Sequence, residues 1–229
     1  MSIQQNIHEI RTHLPTHVSL VCVSKFNPNS SILEAYECGE RIFGESKVQE
    51  LCGKYETLPK DIIWHFIGHL QTNKIKFIVP FVSLIHGVDS YKLLEEINKQ
   101  AFKVGTVVNC LLQVHIAKEE TKFGFSAEEL LETMEVGNWK NLQNIQICGL
   151  MGMATYTDNQ EQIHQEFKGL KTLFDKVKEA YFIGNETFST LSMGMSDDFQ
   201  IAIDEGSTAV RVGSKIFGSR NMELSPPTP

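Results

Sequence analysis

A few polar residues in this chain have types and spacing that could hold a small anionic ligand and react with it. In "VSLVCVSKFNPN", residues 18–29, an apolar and β-branched run ends on a single lysine, Lys25, before Asn27-Pro28-Asn29 breaks the strand pattern. An amine at a strand end is a candidate nucleophile toward a carbonyl carbon. In "TAVRVGSKIFG", residues 208–218, Gly213 and Ser214 stand where a short helix should begin. Glycine lets a backbone approach an anion closely, and the first N–H groups of a helix favour anions. Ser192, in "LSMGMSDD", can add a hydroxyl from the adjacent strand. A phosphate monoester would suit such a site without a cluster of lysines. Arg211 interrupts its apolar run two residues before Gly213, hence on the same face, and an inward arginine must find an acceptor.

Bringing these residues together is the task of the elements around them. Strand-like runs occur at 18–25, 41–45, 62–67, 82–88, 107–115, 145–153, 187–192 and 208–213, with 3.6-periodic segments such as 91–103, 126–136 and 158–180 between them. Eight βα repeats with short connections favour a single α/β domain, a closed (β/α)8 TIM-type barrel, over the flavodoxin-like open sheet that is the alternative. Barrel chemistry gathers at the carboxyl ends of the strands, and phosphates are often held after strands seven and eight. A phosphate site, a strand-end lysine and an inward arginine suggest pyridoxal 5′-phosphate: aldehyde to Lys25, phosphate to Gly213, Ser214 and Ser192, ring nitrogen near Arg211. On these residues alone another phosphate-bearing ligand stays open, although it would leave Lys25 unexplained.

Composition fits that architecture. With 41% hydrophobic and 21% charged residues, the 229-residue chain can bury a large core. A net charge of −7 argues against nucleic-acid binding, which needs clustered Lys and Arg. The five cysteines form no CxxC pair, and with no apolar leader or membrane-length stretch the expectation is a reduced, cytoplasmic protein. A leading helix, roughly 3–13, is expected to cover the bottom of the barrel. The barrel should occupy 1–220, and the Pro-rich end, 221–229, reads as a disordered tail.

The strings "VCVSK", "FGESKVQE", "WHFIGHLQTNK", "GLMGM", "LSMGMSDD" and "GSTAVRVGSKIFGSR" resemble, in order and spacing over residues 18–220, the pyridoxal phosphate homeostasis protein family, also called the YggS/PROSC family. The resemblance implies a barrel like the N-terminal domain of alanine racemase, with the cofactor as an aldimine on Lys25. It also implies phosphate contacts from Ser192, Gly213 and Ser214, Arg211 facing the pyridine nitrogen, and Ser46 and Met193 as further contacts. Ser207 and Thr208 are weaker candidates. Members resemble carriers or regulators of the free cofactor pool rather than enzymes, which implies apo-enzymes that use pyridoxal phosphate as recipients, and a monomer. One departure is Ser46, where the family usually has Asn.

Each residue also has a blander reading. Arg211 could form a purely structural ion pair with a barrel carboxylate. His65 and His69 recur at zinc-pair spacing, but in a strand-like segment they would not share a helix face. Asp197 and Asp198 fit helix capping, "GLMGM" fits core, and Lys122 is either a surface lysine or a second amine near the site. The competing function is a racemase-like enzyme acting on amino acids. Racemases of this barrel type add a β domain that supplies a second base, whereas this chain ends soon after strand eight.

Overall fold

Each apolar run becomes a strand, and each amphipathic segment turns its apolar stripe onto the sheet. The computed structural model describes residues 2–118 and 123–218. Among them, eight strands run β1 Ser19–Val23, β2 Ile42–Glu45, β3 Ile63–Phe66, β4 Leu84–Val88, β5 Val108–Val114, β6 Ile145–Gly152, β7 Thr190–Ser192 and β8 Ala209–Val212. All pair in parallel and in chain order, and β8 returns to β1, so the sheet closes into a barrel. The flavodoxin-like alternative is thereby excluded. The helices are α1 Ile3–His13, α2 Asn29–Glu37, α3 Val48–Thr57, α4 Ile75–Ile78, α5 Tyr91–Val104, α6 Ala127–Val136, α7 Gln160–Tyr181, α8 Phe199–Asp204 and α9 Ser214–Phe217. Local chemistry sets several ends. Ser2 with Gln5, and Ser126 with Glu129, form capping boxes that satisfy the first N–H groups of α1 and α6.

The leading helix does not cover the bottom of the barrel. It packs against α2 and α9, with Asn6 Nδ2 donating to the Ile216 carbonyl at 2.9 Å and Arg11 gripping Glu40 in a bidentate pair. The reason lies in α9, a single turn too short to fill the outer ring after β8, so α1 takes that place.

Two separate cores result. The large one lies between sheet and helices, filled from the outward face of every strand. Inside the barrel, Leu84, Leu111 and Met151 form a small apolar layer. Toward the carboxyl ends the interior turns polar, with His65, His86, Ser192 and Arg211 all buried. The neighbouring pairs Gly44 with His65, Met151 with Ser192 and Val21 with Arg211 show that these side chains share the inward face. Residues 219–229, which include the expected tail 221–229, lie outside the described residues, as does Lys122. Among the described residues no helix is long and apolar enough to cross a membrane.

Candidate functional site

Strand β1 ends at Val23, and Lys25 follows in a turn closed by the Asn27 N–H donating to the Ser24 carbonyl at 3.0 Å. The lysine is half-buried at the carboxyl end of the barrel. Phe26, next to it, adopts the left-handed φ of 65°. Strand β8 arrives alongside: a Cβ on Gly213 would lie 3.1 Å from the Val23 carbonyl oxygen, a tight contact, so glycine eases the close approach of the two strand ends. Helix α9 starts at the next residue, exposed Ser214, whose first N–H groups have no partner within their own helix. The loop after β7 closes the corner, because the Gly213 N–H donates to Ser196 Oγ at 3.2 Å.

One layer deeper, a chain of hydrogen bonds crosses the barrel. Arg211 Nη1 donates to Ser192 Oγ at 2.6 Å and to the Ser192 carbonyl at 2.9 Å, while Nη2 donates to the Gly152 carbonyl at 3.0 Å. Ser192 Oγ lies 3.0 Å from His86 Nδ1, and His86 Nε2 lies 3.0 Å from His65 Nδ1. One tautomer satisfies the whole chain: Ser192 accepts from the arginine and donates its own proton to His86 Nδ1. His86 then carries its hydrogen on Nε2 and donates to His65. Burial keeps both rings neutral, lowering His65 to about 4 and His86 well below the usual range. Burial also brings Arg211 down to about 10, opposed by the charge of Asp198, so the guanidinium stays protonated at neutral pH. Its hydrogen bonds among the described residues go to neutral oxygens, which replaces the structural ion pair with a barrel carboxylate.

The fold thus brings Lys25, Gly213, Ser214 and Arg211 to one end of the barrel, with Ser46 half-exposed in the turn after β2. The other candidates stand apart from that corner. The Ser192 hydroxyl is fully buried and engaged by Arg211 and His86, so the hydroxyl at the Gly213 corner is that of Ser196. The Met193 side chain points outward into the core between barrel and helices. Ser207 and Thr208 precede β8 and lie at the opposite end, where their hydroxyls tie down the backbone of Ser189, Leu191, Met193 and Ala209. Asp198 accepts from the Met195 N–H at 2.5 Å, closing the loop before α8 rather than capping its first turn. His69 pairs with Asp89 at 2.9 Å and stacks on Phe123, far in character from buried His65, and no metal-ligand cluster occurs among the described residues. Sequence reasoning missed His86, whose signal was an imidazole inside the apolar run "LIHGV", and Ser196, which stands beside the capping candidates in "LSMGMSDD".

Comparison with known proteins agrees with this geometry. The alanine racemase N-terminal domain family matches residues 1–221. A pyridoxal phosphate homeostasis protein of Aquifex aeolicus is 43% identical over 202 residues, 88% of this chain and 86% of that protein. PipY of Synechococcus elongatus PCC7942, solved with PLP bound, superposes with a TM-score of 0.85 at 34% identity, covering 95% of this chain and all of that one. An alanine racemase of Clostridium difficile 630 shares the barrel at a TM-score of 0.74 and 14% identity, covering 97% of this chain and 57% of that one. Barrel closure, strand-end lysine and full-length similarity converge: the chain belongs to the pyridoxal phosphate homeostasis protein family, on the fold of the alanine racemase N-terminal domain.

Proposed function

We propose that this chain binds pyridoxal 5′-phosphate covalently through Lys25 and holds and releases it in cytoplasmic cofactor homeostasis, as a monomer, without turning over an amino-acid substrate. The observation that carries the reading is the convergence of Lys25, the start of α9 and the arginine of β8 at one end of a closed barrel. The residues present fit the cofactor. Lys25 supplies an amine, the first N–H groups of α9 with Ser196 supply phosphate donors, and Arg211 supplies a cation for the ring-nitrogen end. Lys25 Nζ would hold the cofactor through a C=N bond to its aldehyde carbon, the aldehyde oxygen being lost as water. Reversal by water or by another amine frees the cofactor for apo-enzymes that use it. In this reading the Ser192 hydroxyl serves to hold Arg211, and phosphate is held by Ser196, Gly213 and Ser214. Ser46 and Met193 lend at most a turn and a backbone to the rim. The PLP-bound PipY structure, similar over nearly the whole chain, supports the assignment.

An absorption scan with and without added pyridoxal phosphate, followed by borohydride reduction and peptide mapping, tests it. The label is expected on Lys25, and Lys25→Ala should lose the spectral change. A full spectral change in Lys25→Ala, or a label mapping chiefly to Lys122, overturns the assignment.

A further inference from the structure

Behind the Lys25 turn, on the side facing helix α3, lies a charged group that the ligand reading does not use. Lys54 of α3 is 5% exposed. A lysine is almost never so buried unless paired. Its ammonium has three donors. They reach the Ser24 carbonyl at 2.8 Å, Glu45 Oε1 at 2.8 Å and Glu50 Oε1 at 2.7 Å. Glu50 Oε1 also accepts the Phe26 N–H at 2.6 Å, and the Ser24 hydroxyl donates to Glu45 Oε1 at 2.6 Å. The carbonyl of the residue before Lys25 and the amide of the residue after it are therefore both anchored to one turn of α3. Phe26 itself is the single non-glycine residue with positive φ among the described residues. A strained backbone of this kind persists only where its surroundings over-determine it, and such strain gathers at functional sites.

We infer that Glu50, Lys54 and Glu45 form a positioning clamp that fixes the Lys25 turn and so presents its amine to the carbonyl carbon of the ligand. The inference rests on the proposed role of Lys25. The three act through the peptide groups on either side of the lysine, as positioning residues. A general ion network joining helix to strand would have no reason to converge on these two peptide groups. Orientation of a reacting amine contributes to an equilibrium as well as to a rate, because a wandering turn must be ordered each time the bond forms.

Three variants separate positioning from bulk stability. Glu50→Ala removes the acceptor for Phe26, Lys54→Met removes the cation that joins the parts, and Glu50→Gln keeps an acceptor oxygen without the charge. In ligand-free protein, amide hydrogen exchange at Phe26 should quicken by about tenfold or more in Glu50→Ala and Lys54→Met and stay within about twofold in Glu50→Gln. The dissociation constant for pyridoxal phosphate, read by absorbance, should rise roughly tenfold in the first two and recover in the third. Arg11→Ala, which breaks the pair with Glu40 at the other end of the barrel, controls for lost stability and should leave that constant unchanged. Equal affinity in the parent, Glu50→Ala and Lys54→Met overturns the clamp, as does a Glu50→Gln variant as weak as Glu50→Ala. If Lys54→Met does not fold, the two Glu50 variants decide, since that side chain is partly exposed. Absence of any spectral change in the parent overturns the ligand assignment instead, and Phe26 exchange then decides the clamp alone.

Discussion

Ser192 and Ser196, four residues apart, have hydroxyls with different duties. Ser192 joins a cation to a neutral histidine in the dry interior, where losing one partner leaves a buried polar atom unpaired. Ser192→Ala should therefore lower unfolding stability by about 1–3 kcal/mol in urea titrations. Ser196→Ala removes a donor to a charged phosphate in the proposed site and should weaken pyridoxal phosphate affinity roughly tenfold or more. If Ser192→Ala costs affinity and Ser196→Ala does not, the phosphate sits deeper than proposed. Buried titratable groups also give a pH signature. Burial raises Glu45 to about 7, with Lys54 and Ser24 opposing, and its Oε2 has no hydrogen-bond partner among the described residues. The folded state therefore keeps a proton that the unfolded chain releases, so this group's contribution falls as pH rises from about 4.5 to 7. His65, lowered to about 4, acts in the opposite sense: the unfolded chain binds the proton first, and stability is lost as pH falls from about 6.5 to 4. Each shift is worth about 3 kcal/mol, so these two nearly cancel, and His86 tips the balance toward loss on acidification. Denaturation midpoints between pH 7.5 and 4.5 should accordingly fall more steeply in Glu45→Gln than in the parent, and less steeply in His65→Asn. Parallel profiles would show that neither group is perturbed.

Strand β6 is where an element, rather than a residue, decides the geometry. Its pairing with β5 slips between Cys110 and Leu111, which pair with Ile147 and Gly149, so Cys148 is an extra residue. Before the bulge, Ile145 and Ile147 face the outer core; after it, Leu150 takes that face and Met151 turns inward. The bulge reverses the alternation and sets Gly152 where its carbonyl can receive Arg211. Gly149 carries a φ of 150°, and a Cβ there would lie 1.8 Å from the Thr190 carbonyl oxygen. Because the obstacle is backbone, Gly149→Ala should cost on the order of 3 kcal/mol or more, measured by chemical denaturation. A loss under about 1 kcal/mol would mean that β6 and β7 can part without cost.

For the whole molecule, the question is whether an amino acid is ever turned over. Pyridine rings of this cofactor type drain charge from a neighbouring carbon best when the ring nitrogen is protonated. On the proposed reading Arg211, cationic and buried, opposes a second positive charge there. Racemisation further needs an acid and a base on opposite faces of the α-carbon, and Lys25 serves one face. We expect no catalytic exchange of the α-proton of alanine in deuterated buffer with loaded protein. Repeated turnovers that depend on Lys25 would favour the racemase-like reading, and His69 and His115 would be the first places to seek the second base.

The alternation of strand and helix, and hence the barrel, was legible in the sequence because continuous apolar runs and 3.6-periodic segments are local properties. Lys25 and Gly213 were legible for a related reason. A strand end and a helix start have their own residue signatures, and the barrel sends all strand ends to one side. Facing was not legible where it depends on register. The bulge at Cys148 reverses the alternation along β6, and short β7 sends Met193 outward while Ser192 turns in. Nor could any local pattern announce that His86 meets Ser192 across 106 residues, or that Lys54 on α3 reaches the peptide flanking Lys25. Sequence determined which groups stand at the barrel mouth; closure of the sheet decided which of them touch, because a hydrogen bond inside a barrel is set by strands far apart in the chain.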